Sequence, residues 1–183
     1  MTLEEELAAA RAAAVALAED GEEIVGVVPA EPGQGERIYL CAYRLGEDRH
    51  WLALDAECRP ISDRATVRRA VSIAALCELA EESAGGGDLD ALRARLAELR
   101  ATDNPEGIDE AEAAAAHLQA AIAPPPRIAS VAYLDAIGTA AANLERALGE
   151  VGGSPFAEAM KSGTAAAEEL ATDVVRGYKR PLD

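Results

Sequence analysis

Between Ala70 and Ala80 the chain reads AVSIAALCELA, which is apolar on nearly every face of a helix, inside the longer stretch Ser62–Ser83. A helix of that kind has no face to give to water and must be enclosed. The stretch is therefore the expected post of the fold. Ser62 is the expected cap of a helix beginning near Asp63, and Gly85-Gly86-Gly87 stops it.

What encloses the post is read from the flanks. Leu3, Leu7, Ala10, Ala14 and Leu17 recur at helical spacing, with Glu4 to Glu6 in the first turn where the dipole favours acid, so residues 2–19 are expected to form an amphipathic helix. Three strand-like runs follow, Glu23–Pro29, Arg37–Leu45 and Arg49–Asp55, separated by AEPGQGE and by Gly46-Glu47-Asp48. This is the pattern of an antiparallel meander. With a three-residue second turn, Tyr43 lies opposite Trp51 and Cys41 opposite Ala53. One sheet face is then aliphatic (Ile38, Leu40, Ala42, Leu52, Leu54) and suits the central helix. The other gathers Tyr39, Tyr43 and Trp51, three of the six aromatic residues, for the N-terminal helix, a second subunit or a ligand to cover.

After the post the pattern is helical throughout. Leu89, Leu92, Leu96 and Leu99 form a seam behind Asp88, and Asn104-Pro105 is read as the start of a helix seamed by Ile108, Ala111, Ala115, Leu118 and Ile122; the two make an antiparallel hairpin. Beyond the Pro124–Pro126 break, Leu134, Ile137, Ala141, Leu144 and Leu148 mark a helix over 128–148. Ser154-Pro155 opens a last one carrying Phe156, Met160, Gly163, Ala167, Leu170 and Val174, expected to form a second hairpin with it. The predicted fold is α+β and mostly helical: an N-terminal helix and three-stranded antiparallel meander packed on a central helix, then a four-helix region of two antiparallel hairpins. Residues 1–84 and 85–183 are read as subdomains of one continuous unit. The order helix, meander, helix in an acidic protein is similar to that of secretion-chaperone-like folds, over less than half of the chain and without a shared motif.

Composition bounds the chemistry. A net charge of -16 repels phosphate backbones and anionic membranes, so neither nucleic acid nor a membrane is expected as partner. No apolar run approaches a membrane span, and the N-terminus has acid where a signal peptide needs base, so a cytoplasmic location is expected. Cys41, Cys58 and Cys77 show no C-x-x-C spacing; Cys41 and Cys77 read as small buried hydrophobes. Gly33-Gln34-Gly35 is a turn between strands, not a nucleotide loop. Lys161-Ser162 lies mid-helix after Met160, so it is not a phosphate loop, nor does Lys161-Ser162-Gly163-Thr164 match a serine-acylase triad, which belongs on a strand. His50 reads as a solvated edge residue and His117 as a polar-face residue.

Two clusters remain. Arg59, Arg64, Arg68 and Arg69 face a single acid, Asp63, between residues 59 and 69, and Arg64 stands at the positive end of the helix dipole, where an acidic partner is expected. Together with Tyr39, Tyr43 and Trp51 they are the candidate ligand-binding residues, for a small anion. Glu78, Glu81 and Glu82 are the metal candidates, but lack the Glu-x-x-His motif of two-metal bundles. Arg176, Lys179 and Arg180 read as charges complementing the dipole of their own helix. With no catalytic constellation and no cofactor signature, the expected function is a non-catalytic protein-interaction or adaptor module, with itself as homodimer one form of partner. The alternatives are a small anionic-ligand-binding protein or enzyme using Arg59–Arg69, and a carboxylate metal-binding helical protein.

Overall fold

Asp63, not Ser62, starts the central helix: its carboxylate accepts the Thr66 N–H at 2.7 Å, and hydrogen bonding from the Thr66 side chain and then from that N–H holds its pKa below the ordinary value. Ser62 is engaged elsewhere, its hydroxyl donating to Asp183 at 3.0 Å and its carbonyl accepting the Asp183 N–H. The computed structural model describes residues 2–33, 35–85, 88–123, 127–149, 151 and 155–183, without the side chains of 81–85, 88 and 155–162. Pro124–Pro126, Ser154, Gly86-Gly87 and the side chains of Phe156, Met160, Lys161 and Ser162 thus lie outside the described residues.

The elements are α1 (Leu3–Ala16), β1 (Glu23–Gly33), β2 (Glu36–Leu45), β3 (Asp48–Leu54), α2 (Arg64–Gly85), α3 (Asp88–Thr102), α4 (Ile108–Ile122), β4 (Ala129–Ser130), α5 (Val131–Leu148) and α6 (Pro155–Arg176). The fold is α+β and mostly helical, 58% helix and 20% strand. The expected meander is present, β1–β2–β3 antiparallel, and the short β4 adds to the outer side of β1 in parallel, giving the order β3-β2-β1-β4.

Two compact units divide the chain: residues 1–75 with 127–131 and 166–183, and residues 76–126 with 132–165. In the first, α1 lies on one sheet face. Its Ala10 and Ala14 are fully buried against Tyr39, Cys41, Tyr43, Leu52 and Leu54. A Thr2–Glu5 capping box fixes its start. On the other face Ala30, Ile38 and Ala53 pack with Val67, Ala70 and Val71 of α2 and Ala171 and Val174 of α6. Each large apolar side chain so buried contributes about 1.5–3 kcal/mol.

The second hairpin turn has two residues, not three, and this reassigns the aromatic face. Leu45 pairs with Asp48 across Gly46-Glu47, so Tyr43 lies opposite His50, Ala42 opposite Trp51 and Cys41 opposite Leu52. Gly46 takes φ +62°, as the first central residue of the mirror-image hairpin turns does. A one-residue change of register turns every β3 side chain to the opposite face. Trp51 therefore leaves the tyrosines and joins Leu40 and Ala42, while Leu52 and Leu54 join Tyr39 and Tyr43 beneath α1.

In the second unit the α4 seam is as the spacing predicts, Ile108, Ala111, Ala115, Leu118 and Ile122 all buried, and α3 pairs with it through Leu89 and Leu96. Ile137, Ala140, Leu144 and Leu148 of α5 enter that same core. Asn104 does not cap α4. With φ +43° it returns its N–H to the Leu99 carbonyl and ends α3, and Gly107, at φ +84°, leads into α4. Ala141 is partly buried, and Leu170 is exposed rather than on the packed side of α6. A Cβ on Gly163 would overlap the tip of Leu79, so glycine there lets α6 lie close to α2.

Candidate functional site

The sheet face shared by α2 and α6 is only partly covered. Ala30, Ile38 and Ala53 are sealed, but toward the hairpin end Leu40, Ala42 and Trp51 are half-buried, and Val28 is 47% exposed. A Cβ on Gly26 would meet nothing within 4 Å. Between Ile24, which faces Tyr43, and Gly26, which faces Ala42, the ladder shifts register at Val25; this extra residue is 61% exposed. Gly26, Val28, Leu40 and Ala42 thus form a shallow apolar floor with Trp51 at its margin and the exposed bulge residue Val25 beside Gly26. Alternation put Ile38, Leu40 and Ala42 on one face, but the cover stopping halfway left no trace in the sequence.

At the outer edge of β3 the C-terminal segment locks onto the strands. The Trp51 N–H donates to the Gly177 carbonyl at 3.1 Å and the Lys179 N–H to the Trp51 carbonyl at 3.0 Å, so residues 177–179 run as a strap along the outer edge of β3. A Cβ on Gly177 would come within 2.6 Å of the indole, which only glycine avoids. Tyr178 accepts the Ala53 N–H and donates to the Ile61 carbonyl, both at 2.8 Å. Lys179 is not a complement to its own helix. Its ammonium donates to the Leu17 carbonyl at the end of α1 (3.2 Å), lies 4.4 Å from the centre of the Tyr43 ring and pairs with Glu22. Asp183 closes the strap beside the first turn of α2, where the Arg64 backbone N–H donates to its backbone carbonyl at 3.3 Å while its carboxylate accepts from Ser62.

Glu22 has a fully buried side chain, and its Oε1 has no hydrogen-bond donor, with His50 Nδ1 at 3.3 Å. His50 is thus a half-exposed neighbour of a buried carboxylate rather than a free edge residue. Burial raises the Glu22 pKa, but the Glu19 N–H and Lys179 outweigh it and hold the group below its ordinary 4.5. Its contribution to stability is therefore complete above about pH 4.5 and is lost as pH falls through the lower folded value. In thermal unfolding between pH 7 and pH 3, Glu22→Gln is expected to lose less stability than wild type below that point; parallel curves would refute the assignment.

The remaining sequence candidates are dispersed. Tyr39 and Tyr43 are buried under α1, Tyr43 donating to the Ala14 carbonyl (3.1 Å) and Tyr39 to Glu6 (3.0 Å). Burial and the Glu6 bond push the Tyr39 hydroxyl up to about 12, and burial pushes the Cys41 thiol up to about 12. Arg37 ties Glu6 of α1 to Glu31 of β1 at 2.8 and 2.6 Å, docking the helix on the sheet. Arg59 is satisfied within its own loop by Asp55 and Glu57, and Arg69 stands 3.9 Å from Glu36. Arg64 and Arg68 are exposed, and neither forms a side-chain ion pair among the described residues. Glu78 is exposed, and the side chains of Glu81 and Glu82 lie outside the described residues; among those described, no group of three potential ligands is placed to hold a metal. Cys41 and Cys77 are buried and His117 is exposed, as expected. In the second unit a half-open hollow of about 300 Å³ is lined by Arg93, Ala97 and Glu112.

Fold and site together describe a mostly helical α+β protein with a half-covered sheet face, and no described helix is long and apolar enough to cross a membrane. Comparison with protein families, with curated proteins and with solved structures finds no match to the chain, so the similarity in element order to secretion-chaperone-like folds gains no support.

Proposed function

We propose that this is a non-catalytic protein-interaction module of the cytoplasm that docks its partner on the open end of the sheet face. The observation that carries the reading is the pair of exposed valines, Val25 and Val28, beside the uncovered Gly26. Apolar side chains grouped on a sheet face and rimmed by charge are the usual mark of an interface. The aromatic face, by contrast, is covered by the chain's own α1, so it supports no docking. The anion reading draws less support, since Trp51 and the two tyrosines stand on opposite sheet faces and the arginines do not converge on any of them.

A photo-crosslinking amino acid placed at Val28 in cells is expected to trap one discrete adduct, whose mass tells a second copy from another protein. The same residue at exposed Arg95 in α3 serves as control. No adduct at Val28, or the same adducts at both positions, would refute the reading. Val28→Glu is expected to abolish partner binding while leaving the unfolding temperature unchanged, because the side chain is half in water already.

A further inference from the structure

This inference rests on the docking reading and names the partner's chemistry. On the open face the strands line up in cross-strand rows: Val28 with Leu40 and Ala53, Gly26 with Ala42 and Trp51, Glu23 with Arg44 and Arg49. The first two rows are apolar. The third sets one carboxylate against two guanidinium groups. Glu23 is already bound to Arg44 at 2.8 Å, and Arg49 makes no ion pair among the described residues. Arg37, Arg59 and Arg100 each hold two carboxylates. Like charges directly opposite on paired strands are unfavourable, so the row has unmet demand for an anion. At physiological salt the Debye length is about 8 Å, so most of the net charge of -16 is screened at the floor, and Asp48, the acid next to Arg49, alternates to the other face of the sheet.

A second copy does not meet that demand. In an isologous contact the row meets either its own twin, which brings the same excess of arginine, or the Val28–Leu40–Ala53 end of the twin's floor, which brings no carboxylate. We infer that the open face takes an apolar segment of a different protein that carries an acidic residue at one end. Its apolar side chains cover Gly26, Val28 and Ala42, and its carboxylate is held by Arg49, which lies across the strands from Arg44.

Trp51, the single tryptophan, reports from the margin of the floor. The full chain is titrated with a soluble synthetic peptide rich in valine and leucine and ending in Asp, and with its twin ending in Lys. The Asp peptide is expected to shift Trp51 emission saturably and to bind at least about tenfold more tightly than the Lys twin. Arg49→Glu reverses that preference, and Val28→Glu binds neither peptide. Equal binding of the two peptides that is lost in Val28→Glu overturns the charge assignment and leaves the docking reading standing. No saturable shift with either peptide overturns the inference, and the docking reading falls with it only if the crosslinker at Val28 also traps nothing. A doubling of mass with concentration that Val28→Glu abolishes assigns the face to a second copy and likewise overturns the inference.

Discussion

Tyr178→Ala is expected to lower the unfolding free energy of the full chain by about 3–5 kcal/mol in urea denaturation. The ring packs into both cores of the sheet-containing unit, and the hydroxyl serves two backbone groups at once, accepting from Ala53 and donating to Ile61. Loss of the ring opens a void at the edge of β3. Loss of the hydroxyl strands an amide of that edge. Tyr178→Phe separates the two effects and should cost about 1–3 kcal/mol, the penalty for leaving buried polar groups unmet. A phenylalanine variant as stable as wild type would mean that water takes over both bonds, and the strap would then be held by packing alone.

The second large effect is at Lys179. Its side chain is 5% exposed and the Glu22 carboxylate it meets is fully buried, so Lys179→Met is expected to cost about 3 kcal/mol. That is the low end for breaking a buried pair, because the Glu22 backbone is still partly exposed. The loss comes from the stranded carboxylate more than from the missing attraction. The double variant Glu22→Gln with Lys179→Met should therefore recover most of it. Equal stability of the single and double variants would show that the ammonium acts on the Leu17 carbonyl and the Tyr43 ring instead.

These two residues also mark the limit of what the sequence can reveal. Helical spacing located α1, α3 and α4 to within a few residues, whereas the apolar run Ala70–Ala80 is enclosed only in part: Ala70, Val71, Ile73, Cys77 and Ala80 are buried, but Glu78 is exposed and the rest are half-buried. Periodicity is a local property and survives in the sequence alone. Register is not. Gly46-Glu47-Asp48 fits a turn of either two or three residues, and that single choice moved Trp51 across the sheet. The strap was less legible still. Gly177 to Asp183 has neither period, and its partners at Trp51, Ala53 and Ser62 are distant in sequence, so Lys179 looked like an ordinary charge near a helix end. The arginines misled for a related reason: Asp55 and Glu57, within four residues of Arg59, answer it inside one loop. The open floor was half legible, its apolar alternation visible in β2 but its lack of cover decided by where α2 and α6 stop.

The strap has a consequence for the order of synthesis. Tyr178 meets its Ala53 partner across 125 residues, so β3 is made long before the segment that completes its edge. An edge strand left unpaired is a template for the wrong neighbour. Contacts of such long sequence separation also form late, since loop closure must precede them. A chain in which residues 177–179 are not yet in place therefore carries an open β3 edge with its indole less covered.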